Sequence, residues 1–192
     1  MKTKLFKFLT AGSALSLLAG CIVLSVYPFY TPKDLIFDPG LTGRWAKTTD
    51  ANEFWQFSDL DGKFYWLTTT DAQDTNCFEA HLFRLKQYQF LDLLTTNRQQ
   101  FQMPVHLIAK VARNDASASL QFLDYGWLTG LLATNPAILR HLVVPEKVGD
   151  TNDSMLFLTA DTKDLQEFLL KHAEDTNAFS AGSACELRRM SP

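Results

Sequence analysis

Three cysteines, Cys21, Cys77 and Cys185, carry the most versatile chemistry in this chain. A thiol can be acylated, oxidised to a disulfide, used as a nucleophile or given to a metal, and its sequence surroundings favour one of these. Cys-x-x-Cys spacing is absent, so neither a redox pair nor a zinc knuckle is expected. The four histidines, His81, His106, His141 and His172, stand far apart without a second ligand at a metal-binding interval. Glu79 and His81, at i and i+2 of a strand-like stretch, share a face and would permit a carboxylate–imidazole pair. The plainer reading places both on the wet face of an edge strand. Asp71, Asp74 and Asp92 lack the interval of a calcium loop and read as loop and turn residues. There is no Gly-x-Ser-x-Gly elbow, glycine-rich phosphate loop or His-Glu-x-x-His. The expectation is therefore a protein that is not an enzyme, with no cofactor and no metal.

The best-defined cysteine is the first. Lys2, Lys4 and Lys7 precede an uncharged stretch from 8 to 18, and Leu18-Ala19-Gly20-Cys21 closes it, which is the layout of an export signal. Those four residues resemble the lipobox of bacterial lipoproteins. The resemblance implies that residues 1–20 are a signal peptide, that they are removed, and that Cys21 becomes a first residue carrying acyl chains such as palmitate. It also implies a cell-envelope location, and Ile22, where an aspartate often retains such proteins at the inner membrane, favours the outer membrane facing the periplasm. A rival reading stays open, because no charge appears from Phe8 to Tyr30 and about 20 apolar residues suffice to span a bilayer. An uncleaved signal anchor would export the same domain in the same orientation.

Removing the leader leaves 172 residues with 15 basic against 21 acidic side chains, enough for one domain with a substantial core. An acidic chain with scattered lysines and arginines does not suit nucleic acid. With Cys21 committed to lipid, Cys77 and Cys185 form an even pair in an oxidising compartment, and a disulfide between them is expected. Two buried thiols are the alternative.

Residues 21–40 read as a lipidated tether with Pro28 and Pro32, whose aromatics either meet the membrane interface or pack on the domain. Residues 41–192 read as a single β-rich domain. Strands are expected from Gly43-Arg44-Trp45 onward and over 53–57, 63–70, 77–85, 87–93, 106–111 and 119–122, with Asp61-Gly62 as a tight turn. A short helix follows Asp124 and stops at Asn135-Pro136, and a packed C-terminal helix covers 159–174. The fold class is mainly β: an antiparallel β-barrel or strongly curved sheet with one short and one packed helix.

Gly43-x-Trp45 at the first strand resembles the Gly-x-Trp of lipocalins, small barrels that enclose apolar ligands. The late helix, a tail arginine and a tail cysteine are similar as well, whereas a helix opening at Asp124-Tyr125 departs from that pattern. The resemblance implies an arginine over Trp45, either Arg188 or Arg189, and a lipocalin-like barrel. Trp45, Trp55, Phe57 and Trp66 are the candidate ligand-binding residues. The expected function is that of an envelope lipoprotein, joined to the membrane by its N-terminal lipid, that binds an apolar small molecule, lipid or envelope partner. The alternative is a structural or assembly lipoprotein with a filled core.

Overall fold

The computed structural model describes residues 22–71, 74–96, 103–148 and 151–190; Cys21 and the expected signal peptide lie outside them. Eight strands close into an antiparallel barrel: β2 (Gly43–Lys47), β3 (Phe54–Leu60), β4 (Phe64–Thr70), β5 (Thr75–Leu85), β6 (Tyr88–Thr95), β7 (His106–Arg113), β8 (Ser117–Phe122) and β11 (Ala184–Arg189). Consecutive strands pair from β2 to β8, and β11 completes the ring between β8 and β2. Asp61 and Gly62, both at positive φ, make the β3–β4 turn that Asp-Gly announced. Closure leaves the barrel strands without a free edge, and period-two alternation sends every second side chain inward. Trp45, Phe57, Tyr65, Leu67, Ala80, Leu91, Ala109 and Leu120 fill the inner core.

Three further strands form a wing beside β7. β1 (Val23–Ser25) meets β7 at Ser25–His106 and runs parallel to β10 (Thr151–Leu158), which is paired in turn with β9 (His141–Val148). With helices α1 (Tyr125–Thr134) and α2 (Thr162–His172), the wing covers the outer face of β5 to β7. The Asp124 carboxylate caps α1 by accepting from Trp127 N–H at 2.8 Å, and Asp161 caps α2 by accepting from Asp164 N–H at 3.1 Å. In α2, Leu165, Phe168 and Leu169 are buried, as the three-and-four spacing requires. The second core thus joins Phe83, Phe90 and Ile108 from the barrel's outside to both helices and the wing.

Residues 22–40 are part of the domain, so their aromatics follow the packing alternative more than the interfacial one. Val23 and Phe29 are buried, Ile36 N–H donates to Leu82 O at 2.9 Å, and Arg84 N–H donates to Asp34 O at 2.9 Å. This strap occupies the stretch of β5 edge that lies beyond its pairing with β4. Tyr27 alone among the strap's tyrosines and phenylalanines is largely exposed.

Candidate functional site

One end of the barrel is sealed, and Gly43-x-Trp45 explains how. Trp45 is fully buried and its indole N–H donates to Leu41 O at 2.9 Å. The Arg189 guanidinium lies 4.2 Å from the ring centroid and donates to Thr42 O at 3.1 Å, to Asp115 O at 3.0 Å and to Gly40 O. Gly43 has φ +122°, and a Cβ there would stand 3.1 Å from the Arg189 guanidinium. Glycine is therefore favoured by conformation, and any side chain would also crowd the guanidinium. Of the two candidate arginines, Arg189 takes the place over Trp45, and Arg188 is exposed on the other face. Asp38 adds a second tie by accepting from Arg113 Nε at 2.8 Å, while its backbone N–H donates to Tyr65 Oη at 2.8 Å. Burial pushes the Tyr65 hydroxyl up to about 12, so it remains a neutral hydrogen-bonding group at ordinary pH.

The opposite end is open. Between the β2–β3, β4–β5 and β6–β7 ends of the barrel lies a cavity of about 450 Å³. Its wall is apolar at Trp55, Phe78, Leu93, Leu107 and Phe122. Its polar groups come from Thr48, Thr49, Thr69, Asn76 and Ser183, and from Lys47 and Glu186. Trp55 and Phe122 pack edge to face with centroids 6.4 Å apart, which holds the indole as a fixed wall. Lys47 is ion-paired to Glu53.

Of the four aromatic residues proposed from sequence, Trp55 alone lines this cavity. Trp45 and Phe57 point inward but fill the closed half beneath it. Trp66 is on the outer surface, because it pairs with Ser58 and Glu79 while its neighbours Tyr65 and Leu67 face in. Phe78, Leu93, Leu107 and Phe122 were not foreseen. The available signal was register: Trp55 pairs with Thr69, and Leu67 with Phe78.

The expected disulfide is corrected by the same alternation. Cys185 lies on the cavity wall, whereas Cys77 pairs with Thr68 on the outer face, its Sγ 3.9 Å from Thr68 Oγ1. Both are free thiols, since a bridge cannot pass through a strand wall whose side chains point apart. Burial pushes the Cys185 thiol up to about 12, so it is protonated at neutral pH and a poor nucleophile. A Cys21→Ser protein, denatured without reductant, should titrate two thiols with a chromogenic disulfide reagent. In the folded protein Cys185 should react much more slowly than Cys77, and a count of zero would restore the bridge.

Glu79 and His81 do pair, at 2.8 Å, but not on a wet edge. His81 is buried beneath Tyr30 and Phe64, whose ring centroids lie 4.7 and 5.2 Å away. Beside it, the fully buried Asp92 binds His106 Nδ1 at 2.7 Å and accepts from Phe29 N–H at 2.9 Å. Burial, with Asp92 and Glu79 nearby, pushes the Tyr30 hydroxyl up to about 12. This polar cluster fastens the strap to the barrel's outside, across the wall from the cavity. Asp92 is therefore a structural residue and not the turn residue its sequence context suggested.

Among the described residues, no three His, Cys, Asp or Glu side chains gather as a metal site. No described helix is long and apolar enough to cross a membrane. No protein-family model, curated protein or solved structure matches this chain.

Proposed function

We propose that the protein is an envelope lipoprotein, tied to its membrane by acyl chains on Cys21, whose barrel holds an apolar or amphipathic small molecule in the cavity beside Trp55. The observation that carries the binding role is the cavity itself. Its volume of about 450 Å³ falls in the range of roughly 300–1,000 Å³ usual for ligand pockets. Aromatic and leucine side chains on its wall would desolvate a chain or ring, and the threonines and asparagine would meet a polar end. A binding role fits better than catalysis, because the cavity's thiol is un-ionised and the buried His81 and His106 are engaged with the strap-side cluster on the barrel's outer face. The lipobox supports the anchor, and Ile22 favours the outer membrane.

Titration with a dansylated fatty acid tests the reading. Saturable binding with a blue-shifted emission, displaced by unlabelled fatty acid, is expected. Leu107→Trp, which puts a bulky indole into the cavity, should weaken binding by about tenfold or more, equivalent to at least ~1.4 kcal/mol. Circular dichroism would establish that the variant folds. Absence of saturable binding by the unaltered protein would overturn the proposal.

A further inference from the structure

The anchor reading leaves open which side of the domain meets the membrane, and the start of the described chain answers it. Ile22 and Leu24 pack against the inner core, and Ser25 pairs with His106, next to the cavity residue Leu107. An acyl anchor on the residue preceding Ile22 would therefore join the domain without an intervening spacer, and β1 reaches the open end of the barrel at its Ser25–His106 contact.

A single attachment point does not orient a body, but the wing supplies others. Val23 pairs with Leu156 and Leu156 with Val143; Leu24 pairs with Phe157 and Phe157 with Leu142. Leu142 and Val143 are thus two strand spacings from β1, about 10 Å. They are 55% and 50% exposed. Adjacent strand residues face opposite sides, so β9 is uncovered on both faces at these two positions, although Leu156 and Leu158 of β10 beside it are buried. Tyr27 and Met103 are exposed near the Ser25–His106 pairing, while the other large exposed apolar side chains among the described residues, Leu60 and Met190, lie toward the sealed end.

We propose that the bilayer carrying the anchor rests against the β9 edge at Leu142 and Val143, with Tyr27 and Met103 as a second contact, so that the barrel mouth opens toward the lipid leaflet. This inference rests on the anchor reading above and goes beyond it by fixing the docking surface. The outer edge of β9 has no pairing strand among the described residues. Unpaired backbone is costly in hydrocarbon but tolerated at the hydrated headgroups, so the edge sits in the interfacial layer. Pro145, within β9, has no N–H to leave unsatisfied there. A ligand would then pass between leaflet and cavity without crossing bulk water.

The test uses full-length acylated protein in phosphatidylethanolamine–phosphatidylglycerol vesicles. An environment-sensitive fluorophore is placed at Val143→Cys or, for comparison, Leu60→Cys, in a Cys77→Ser/Cys185→Ala background. Flotation on a density gradient reports anchoring, and quenching by shallow spin-labelled lipids reports contact. The expected result is several-fold stronger quenching at 143 than at 60 in floated protein. Equal, weak quenching at both sites in floated protein would sink the docking surface and leave the anchor standing. A blue shift at 143 without lipid quenching would mean that a protein covers the edge, which also overturns the proposal. Failure to float would bring down the anchor and the docking together.

Discussion

Asp92→Ala should cost the fold about 2–6 kcal/mol, because it leaves two buried hydrogen-bonding partners unsatisfied at roughly 1–3 kcal/mol each. The carboxyl group is fully buried and joins two segments distant in sequence, His106 on β7 and the Phe29 backbone in the strap. Truncation leaves an imidazole nitrogen and a peptide N–H facing a gap in the packing, with the Tyr30 hydroxyl nearby. A domain of this size has a total stability of about 5–15 kcal/mol, so the loss is a large share of it. Asp92→Asn should cost less, about 1–3 kcal/mol, because one amide oxygen can still accept a hydrogen bond but the two partners compete for it. Urea unfolding followed by tryptophan fluorescence measures both. Hydrogen exchange should locate the damage in β1 and the strap before the barrel loosens. An alanine variant as stable as the parent would mean that Asp92 does not secure the strap.

The barrel was legible where alternation and turn chemistry agree. Asp61-Gly62 takes the positive φ values of a tight hairpin, and β4 buries Tyr65, Leu67 and Thr69 while Phe64, Trp66 and Thr68 are half-buried. The cap at Asp161 and the Leu165–Phe168–Leu169 stripe made α2 equally plain. The missed elements each lack such a signal. β1 is three residues inside an apolar run that also serves as leader and lipobox, so its strand character is hidden by a stronger pattern. β9 contains Leu142-Val143-Val144 followed by Pro145, a run without alternation and with a residue that argues against a central strand. As an edge strand it tolerates both. β11 offers only Cys185 and Leu187 inward among Ala184, Glu186 and Arg188, and was read as a tail.

The cavity was harder to see because it depends on tertiary register. Aromatic content drew the choice to Trp45, Trp55, Phe57 and Trp66, yet composition does not say which end of a strand is filled. Trp45 is claimed by Arg189 and the Leu41 carbonyl at the sealed end, and Phe57 by Tyr65, 5.9 Å away. Trp66 is turned outward by a shift of one position. Only Trp55, toward the open end of β3, was left to line a space. The lone tail cysteine misled for a related reason. The expected oxidising compartment suggested a bridge, whereas strand parity put Cys185 and Cys77 on opposite sides of the wall.

On the proposed lipoprotein reading, Cys21→Ser should yield a precursor that no longer undergoes lipoprotein processing. The precursor would keep residues 1–20, including Lys2, Lys4 and Lys7, and its mass would lack the diacylglycerol group. The effect is expected to be close to all-or-none, because a serine hydroxyl in place of the thiol cannot form the thioether that carries the diacylglycerol, while the retained apolar leader keeps the precursor at the membrane. The barrel should be spared, since its core begins beyond the substituted residue with Val23 and Leu41. Circular dichroism and fatty-acid binding of the purified variant, after proteolytic removal of its leader, should therefore match the parent. Intact-mass spectrometry of the membrane fraction reads the outcome directly. A parent protein that retains Met1 and a free Cys21 thiol, and a variant that matures unchanged, would each replace the acyl anchor with a membrane-spanning leader.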